Sequence, residues 1–342
     1  MSRADIKSMT LEQLGGDLAA LGQPSYRAKQ IFRWLHRGVS SFDEMTDQPV
    51  QLRKALAERY EIAAAVIQKR LVSALDGTVK YLVRFSDGAT VEMVVMQYHH
   101  GYTICISTQA GCRMGCAFCA TGMGGLERNL TASEMLSQIT AAQLDRNIRI
   151  SNVVLMGMGE PLDNYDNVLR FLHLVSHPDG LSIGGRHISL STCGLVDRIR
   201  QLAQEKLALT LSVSLHAPND TIRSRLMPIS RRWSMEELLL ACRDYIQITG
   251  RRISFEYTVV EGVNESPECA GELAARLRGM LCHVNLIPAN PVDGSGCVGG
   301  SRSVVERFQH ILEQRGINAT IRRTLGSDIN ASCGQLRRDS SQ

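Results

Sequence analysis

The stretch Gly111-Cys112-Arg113-Met114-Gly115-Cys116-Ala117-Phe118-Cys119-Ala120-Thr121-Gly122 carries three cysteines in eight residues, spaced C-x₃-C-x₂-C. Clustered thiols serve three kinds of chemistry. A structural zinc site wants four ligands, normally as paired C-x₂-C knuckles, and the chain offers no second knuckle. A disulfide set fits poorly with an odd number of cysteines. A 4Fe–4S cluster is ordinarily held by four thiolates. Held by three, it keeps one iron open, and an open iron can coordinate a substrate or cofactor. The absence of a fourth neighbouring cysteine then becomes the functional feature.

The surrounding composition is that of an ordinary globular protein: 342 residues, 44% hydrophobic and 21% charged. A chain of this length holds one large domain or two ordinary ones and can bury a real core. The start, Met1-Ser2-Arg3-Ala4-Asp5, shows no basic-then-apolar signal pattern. No apolar run approaches the roughly 20 residues of a membrane span. The expected compartment is therefore the cytoplasm, where structural disulfides are rare, so the ten cysteines need another use. The formal net charge of +4 permits a nucleic-acid partner without demanding one.

Periodicity divides the chain. Residues 1–62 read as small helices, with a capping box at Thr10-Leu11-Glu12-Gln13. A helix follows near Ser25 to His36, with Tyr26, Ile31, Phe32 and Leu35 expected inward and Arg27, Lys29, Arg33 and Arg37 around them. That charge is either a solvated face or a basic module touching nucleic-acid backbone. Over 63–98 the period changes to two, and Asp76-Gly77 and Asp87-Gly88 mark hairpin turns. The last strand of this meander, Thr90 to Met96, holds Glu92 among apolar neighbours, either solvent-facing or half-buried and usable as a base.

From 99 onward strands and helices alternate. Expected strands are Tyr102–Ser107, Asn152–Met156, His187–Ser191, Thr210–Ser214, Ile253–Val259, Val284–Ile287 and Ala319–Arg322. Helices start at the capping boxes Thr131–Glu134 and Ser234–Glu237 and at Ser266-Pro267. Repeated βα units imply a parallel sheet, open or curled into a barrel, with ligand groups at the C-terminal strand ends. The three cysteines follow the first of these strands. By contrast, Gly294-Ser295-Gly296-Cys297-Val298-Gly299 fits G-x-G-x-x-G only formally, since no strand runs straight into it and Pro291 precedes it.

Further polar stretches close the other strands: Met156-Gly157-Met158-Gly159-Glu160-Pro161, Ser191-Thr192-Cys193-Gly194, Ser214-Leu215-His216 and Asn285-Leu286-Ile287-Pro288-Ala289-Asn290. With an aromatic before its last cysteine, the C-x₃-C-x₂-C loop resembles that of radical S-adenosylmethionine enzymes. The chain as a whole, through Ala331-Ser332-Cys333-Gly334-Gln335-Leu336, resembles the adenosine-methylating radical enzymes of the RlmN/Cfr type. That resemblance implies an α/β fold: a partial (β/α)6 barrel at 99–342, an N-terminal helical accessory domain at 1–62 and a β-hairpin meander linker at 63–98. It also implies that Cys112, Cys116 and Cys119 hold a 4Fe–4S cluster. Gly159, Glu160, Ser191, Ser214, Leu215, His216 and Asn290 would line the S-adenosyl-L-methionine pocket.

Two cysteines change meaning under the same likeness. By position alone Cys105 reads as core and Cys333 as a stray thiol, yet family members carry a cysteine at both places. Adenine carbon 2 is electron-poor and has no basic lone pair, so ordinary S_N2 methylation fails there. The family route implies that Cys333 first takes a methyl group from one S-adenosylmethionine. A deoxyadenosyl radical from a second then removes a hydrogen from that methyl. The methylene radical adds to the ring, tying RNA to Cys333. Loss of the ring proton to Glu92, with Cys105 attacking the Cys333 sulfur, frees the product and leaves a transient Cys105–Cys333 disulfide. Cys193, Cys242, Cys269, Cys282 and Cys297 read as structural.

The implied substrates are 23S rRNA, at the peptidyl-transferase-centre adenosine, and tRNA, at the adenosine 3′ to the anticodon. Phosphate contacts should then dominate affinity, and Arg223, Arg225, Arg231, Arg232, Arg322 and Arg323 join the N-terminal basic residues as candidate contacts. A reductase such as flavodoxin or ferredoxin, a monomeric state and no membrane association complete the expectation. Carbon-8 methylation of the same rRNA base is the near alternative. A non-catalytic RNA-binding protein with a structural metal is the distant one.

Overall fold

A computed structural model describes residues 3–292 and 294–336. Its centre is a ten-stranded sheet: β1 (Val66–Val72), β2 (Val79–Arg84), β3 (Thr90–Tyr98), β4 (Gly101–Cys105), β5 (Ile150–Leu155), β6 (Ile188–Thr192), β7 (Thr210–Ser214), β8 (Ile253–Val259), β9 (Cys282–Pro288) and β10 (Ala319–Ile321). Spatial order follows chain order from β1 to β10 without reversal. Strands β4 to β10 pair in parallel, and β1 to β4 antiparallel. A doubly wound sheet would reverse its order at a switch point. An unreversed run of βα units winds in one direction, as in the barrel family.

Each of the strands β4 to β9 is followed by its return helix: α4 (Ala132–Arg146), α5 (Tyr165–Ser176), α6 (Val196–Gln204), α7 (Met235–Thr249), α8 (Pro267–Leu277) and α9 (Arg302–Gln314). The helix starts lie where their side chains dictate. Thr131 and Ser234 both close complete capping boxes, and Ser266 accepts from the Cys269 N–H with Pro267 next to it. Between helices and sheet, Leu155, Leu190, Leu211, Phe255 and Val284 are at most 1% exposed. Each such side chain contributes roughly 1.5–3 kcal/mol by leaving water.

Of the N-terminal helices α1 (Leu11–Ala20), α2 (Tyr26–Arg37) and α3 (Val50–Arg59), α2 packs on α4 of the core, and the turn Ile6–Ser8 packs on α4 and α5. Lys7 Nζ donates to Ser137 Oγ at 3.0 Å and Thr140 Oγ1 at 3.3 Å. Lys29 and Arg33 both pair with Asp179. On α2, Ile31, Phe32 and Leu35 are buried as expected, but Tyr26 is 57% exposed. It stands at the first helical residue, where the chain has not yet turned onto the core.

Expected and observed βα strands agree within two residues at every end; β4 stops at Cys105 because the chain leaves the sheet there for the cysteine loop. The meander turns lie at Asp76-Gly77 and Asp87-Gly88. Its strands are no separate linker in hydrogen-bonding terms: β3 pairs with β4 along its length, setting Val94 opposite Cys105. The meander is thus the continuation of the parallel sheet. Strands β3 and β4 are joined by the two-residue turn His99-His100, so the pairing is a local hairpin.

Candidate active site

The polar strand ends converge at one rim. A cavity of about 160 Å³ is lined by Cys112, Cys116 and Cys119 on one side and by Gly159, Glu160, Ser191, Ser214, His216 and Asn290 on the other, with Cys333 also on its wall. Three thiols and a set of hydrogen-bonding groups therefore face one small space. Burial pushes the Cys112 thiol up to about 12 and raises Cys116 as well. Thiols held this reluctantly ionised call for a metal to draw off their protons. Among the described residues, no three His, Cys, Asp or Glu side chains converge as ligands of a single ion. Three thiols on one cavity, with no second C-x₂-C knuckle in the sequence, suit a polynuclear group better than a tetrahedral zinc.

The facing wall is built by short-range bonds. Gly159 has φ +103°, and a Cβ there would stand 2.6 Å from Gln109 Cβ, so only glycine permits the close approach. Gln109 Oε1 in turn accepts from the Glu160 N–H at 2.8 Å. The Glu160 carboxylate, 4% exposed, accepts from the N–H groups of Leu162 (3.0 Å) and Cys193 (2.7 Å). Burial raises its pKa, while these N–H donors oppose the shift. The result is a buried acid aimed at the cavity, suited to a cationic amino group.

His216 takes a left-handed backbone, φ +56°, and its ring meets Phe118 edge-on at 4.7 Å. Its Nδ1 accepts from the Thr258 N–H at 2.8 Å, which leaves the ring proton on Nε2. Burial holds it down to about 3, so the ring is neutral at physiological pH. Leu215 stands apart from the other expected residues. Its side chain is fully buried and does not line the cavity. It offers main chain only, and its carbonyl already accepts from Arg223 Nε at 3.2 Å.

Cys333 is brought to the cluster loop by the C-terminal segment. Gly334 O accepts from the Ala120 N–H (2.8 Å), Leu336 O from Thr121 Oγ1 (2.5 Å), and Cys333 O from Asn290 Nδ2 (3.0 Å). Cys105, at the end of β4, is buried; its thiol is pushed up to about 12 by burial first and by Cys333 next, with Arg322 acting the other way. The two thiols are therefore electrostatic neighbours, and both are free. Glu92 lies elsewhere. Its carboxylate faces an adjacent cavity of about 690 Å³ and pairs with Lys80 at 2.7 Å.

Two arginines depart from the expected RNA track. Arg223 is fully buried, bonded to the carbonyls of Cys193 (2.7 Å), Ser214 and Leu215 (both 3.2 Å) and to Ser230 Oγ (2.9 Å). It ties two strand ends together, those of β6 and β7, and has no face for phosphate. Arg322 turns inward onto the thiol cavity, 3.7 Å from Glu256 Oε2. Cys333 is the foremost influence keeping its guanidinium charged. Glu256 and Thr258 also line the cavity and were not anticipated. A signal existed: in Ile253-Ser-Phe-Glu-Tyr-Thr-Val259 the even positions are polar and the odd ones apolar, which assigns the polar face to the interior of the winding.

Known proteins match this arrangement. The Radical SAM superfamily model matches residues 106–270, and the Ribosomal RNA large subunit methyltransferase N-terminal domain matches residues 4–62. A probable dual-specificity RNA methyltransferase RlmN of Alkaliphilus oremlandii is 51% identical, over 99% of this chain and 98% of its own length. Its counterpart in Lachnoclostridium phytofermentans is 50% identical, over 98% and 95%. The crystal structure of a radical SAM methyltransferase from Sphaerobacter thermophilus superposes with a TM-score of 0.93 at 46% identity, covering 98% of this chain and 99% of that one. With both modules matched and curated relatives aligned end to end, the chain belongs to the RlmN family of RNA methyltransferases, within the radical SAM superfamily.

Proposed function

We propose that this chain methylates carbon 2 of an adenosine in 23S rRNA and in tRNA, using Cys333 as the methyl carrier. The observation that carries this reading is the placement of Cys333 on the same small cavity as Cys112, Cys116 and Cys119, held there by the Ala120–Gly334 and Asn290–Cys333 bonds. A methyl carrier is useful only where a radical can reach it.

A 4Fe–4S cluster on the three thiolates supplies, when bound, the electron that cleaves S-adenosylmethionine beside it. The chain's own groups do the rest. Glu160 and the Ser191, Ser214 and Asn290 side chains offer the polar contacts that orient the amino acid end of that molecule, and neutral His216 adds none of the repulsion a cation would bring to a sulfonium. Cys333 accepts the methyl group on its sulfur. Cys105, as thiolate, later attacks that sulfur, forming a Cys105–Cys333 bond as the sulfur–carbon bond to the product breaks, and the departing carbon keeps the electron pair and takes up a proton to become the methyl group. The buried, proton-retaining Cys105 thiol is helped toward thiolate by Arg322. Glu92 takes the ring proton from the larger cavity next door. An outside reductase must supply the electron and reopen the disulfide.

Carbon 2 is favoured over carbon 8 by the N-terminal module, which matches the rRNA large subunit methyltransferase domain, and by full-length likeness to RlmN relatives. Mass spectrometry of nucleosides from RNA treated with the reconstituted enzyme resolves the two methyl isomers. 2-Methyladenosine is expected; 8-methyladenosine overturns the assignment.

A further inference from the structure

Beside the thiol cavity, the larger one brings Glu92 together with a second buried charged residue, Lys80. Lys80 on β2 pairs with Val94 on β3, so Glu92 is its diagonal neighbour on the same sheet face. The ammonium lies 2.7 Å from Glu92 Oε1, with the two side chains 9% and 7% exposed. It also donates to Asn330 O at 3.1 Å, three residues before Cys333. Asn330 itself takes a left-handed backbone, φ +51°.

The contact belongs to a larger seat. Asp328 accepts from Ser73 Oγ at 2.7 Å and from the Ala74 N–H at 2.9 Å, and the Gly326 N–H donates to Asp76 Oδ2 at 2.9 Å. The turn that precedes β2 therefore receives the loop that carries Cys333, and Lys80 is where this seat reaches the carboxylate. Burying an ammonium is costly unless its donors are used. Here two of the three are used, on the two elements whose separation matters most to the chemistry.

We propose that Lys80 is a positioning residue of the methyl transfer: it fixes the Glu92 carboxylate and the Cys333 loop at a set separation, so that both meet the same adenine. The proposal rests on the reading of Glu92 as proton acceptor. Lys80 forms no bond to RNA in this role and gives up no proton. Its contribution is geometric, and small misplacements of a reacting group are costly.

The test compares reconstituted wild type, Lys80→Met, Glu92→Gln and the double variant. Three quantities are read: kcat and KM for RNA methylation, methyl loading of Cys333, and covalent enzyme–RNA adduct on denaturing gels. Lys80→Met is expected to lower kcat about tenfold or more with KM for RNA nearly unchanged, as misplacement of a catalytic group does. Cys333 should remain methylated, adduct should accumulate, and the double variant should be no slower than Glu92→Gln alone. Wild-type turnover in Lys80→Met, effects that multiply in the double variant, or equal loss of Cys333 methylation would overturn the proposal. If Glu92→Gln itself turns over normally, it is the reading of Glu92 that falls, and the role of Lys80 with it. Should Lys80→Met not fold, Lys80→Gln carries the same readouts.

Discussion

At the scale of single residues, the account separates two cysteines that composition alone treats alike. In the proposed reaction Cys333, which lines the thiol cavity, is the carrier, and the buried Cys105 is the exchanger. Replacing Cys333 with alanine should abolish RNA methylation while leaving iron and sulfide content unchanged. Replacing Cys105 with alanine should instead leave enzyme covalently attached to RNA, visible as a nuclease-sensitive band on a denaturing gel. Arg322 supplies a further prediction with a definite sign. Its cation opposes the burial that drives Cys105 up to about 12, so removing it raises that thiol further. In Arg322→Met, release of the adduct should slow at neutral pH and recover only at more alkaline pH, read as adduct decay between about pH 7 and about pH 9. An unchanged pH profile would detach Arg322 from this step. That role was hidden in the sequence, because an arginine just past a strand reads equally well as solvent-facing; only the direction of its side chain decides.

At the scale of elements, local chemistry made the helices and parallel strands legible. Thr131, Ser234 and Ser266 each cap the helix they announce, and β8 spells out its two faces residue by residue. What local chemistry could not state was partnership. β3 and β4 form a hairpin across His99-His100, which brings Glu92 and Cys105 onto adjoining strands, but nothing in Gly101–Cys105 says that its other edge pairs with β5 and sets Cys105 opposite Val154. Arg223 failed for the same reason: a charged residue in a short helix gives no hint that two strand ends will close around it. Helix α2 offers an element-scale prediction. His36 is buried there, its Nδ1 against Phe32 O at 2.9 Å and its Nε2 without a partner among the described residues. Burial lowers it from 6.5 to about 4. The unfolded chain therefore takes up a proton that the folded one refuses, so the stabilisation is full above pH 6.5 and is lost as pH falls toward about 4. The urea midpoint should drop between about pH 7 and about pH 5, and His36→Phe should flatten that drop. An equal drop in the variant would place the acid sensitivity elsewhere.

At the scale of the whole molecule, the one-directional winding of the sheet explains why so much chemistry meets in one place. Each βα unit delivers its strand end to the same rim, so cluster loop, acid, serines and histidine arrive from different elements in sequence order. The C-terminal segment then folds back across that rim, and the antiparallel strands of the meander give it a seat. All of this depends on three thiolates holding an iron–sulfur centre that leaves one coordination position for S-adenosylmethionine. The direct measurement is anaerobic reconstitution of the chain with iron and sulfide, followed by reduction in the presence of S-adenosylmethionine and quantification of 5′-deoxyadenosine. The account predicts a brown protein that forms deoxyadenosine, with both properties lost when Cys112, Cys116 or Cys119 becomes alanine. A colourless zinc protein, or an iron–sulfur protein that forms no deoxyadenosine when reduced, would contradict it.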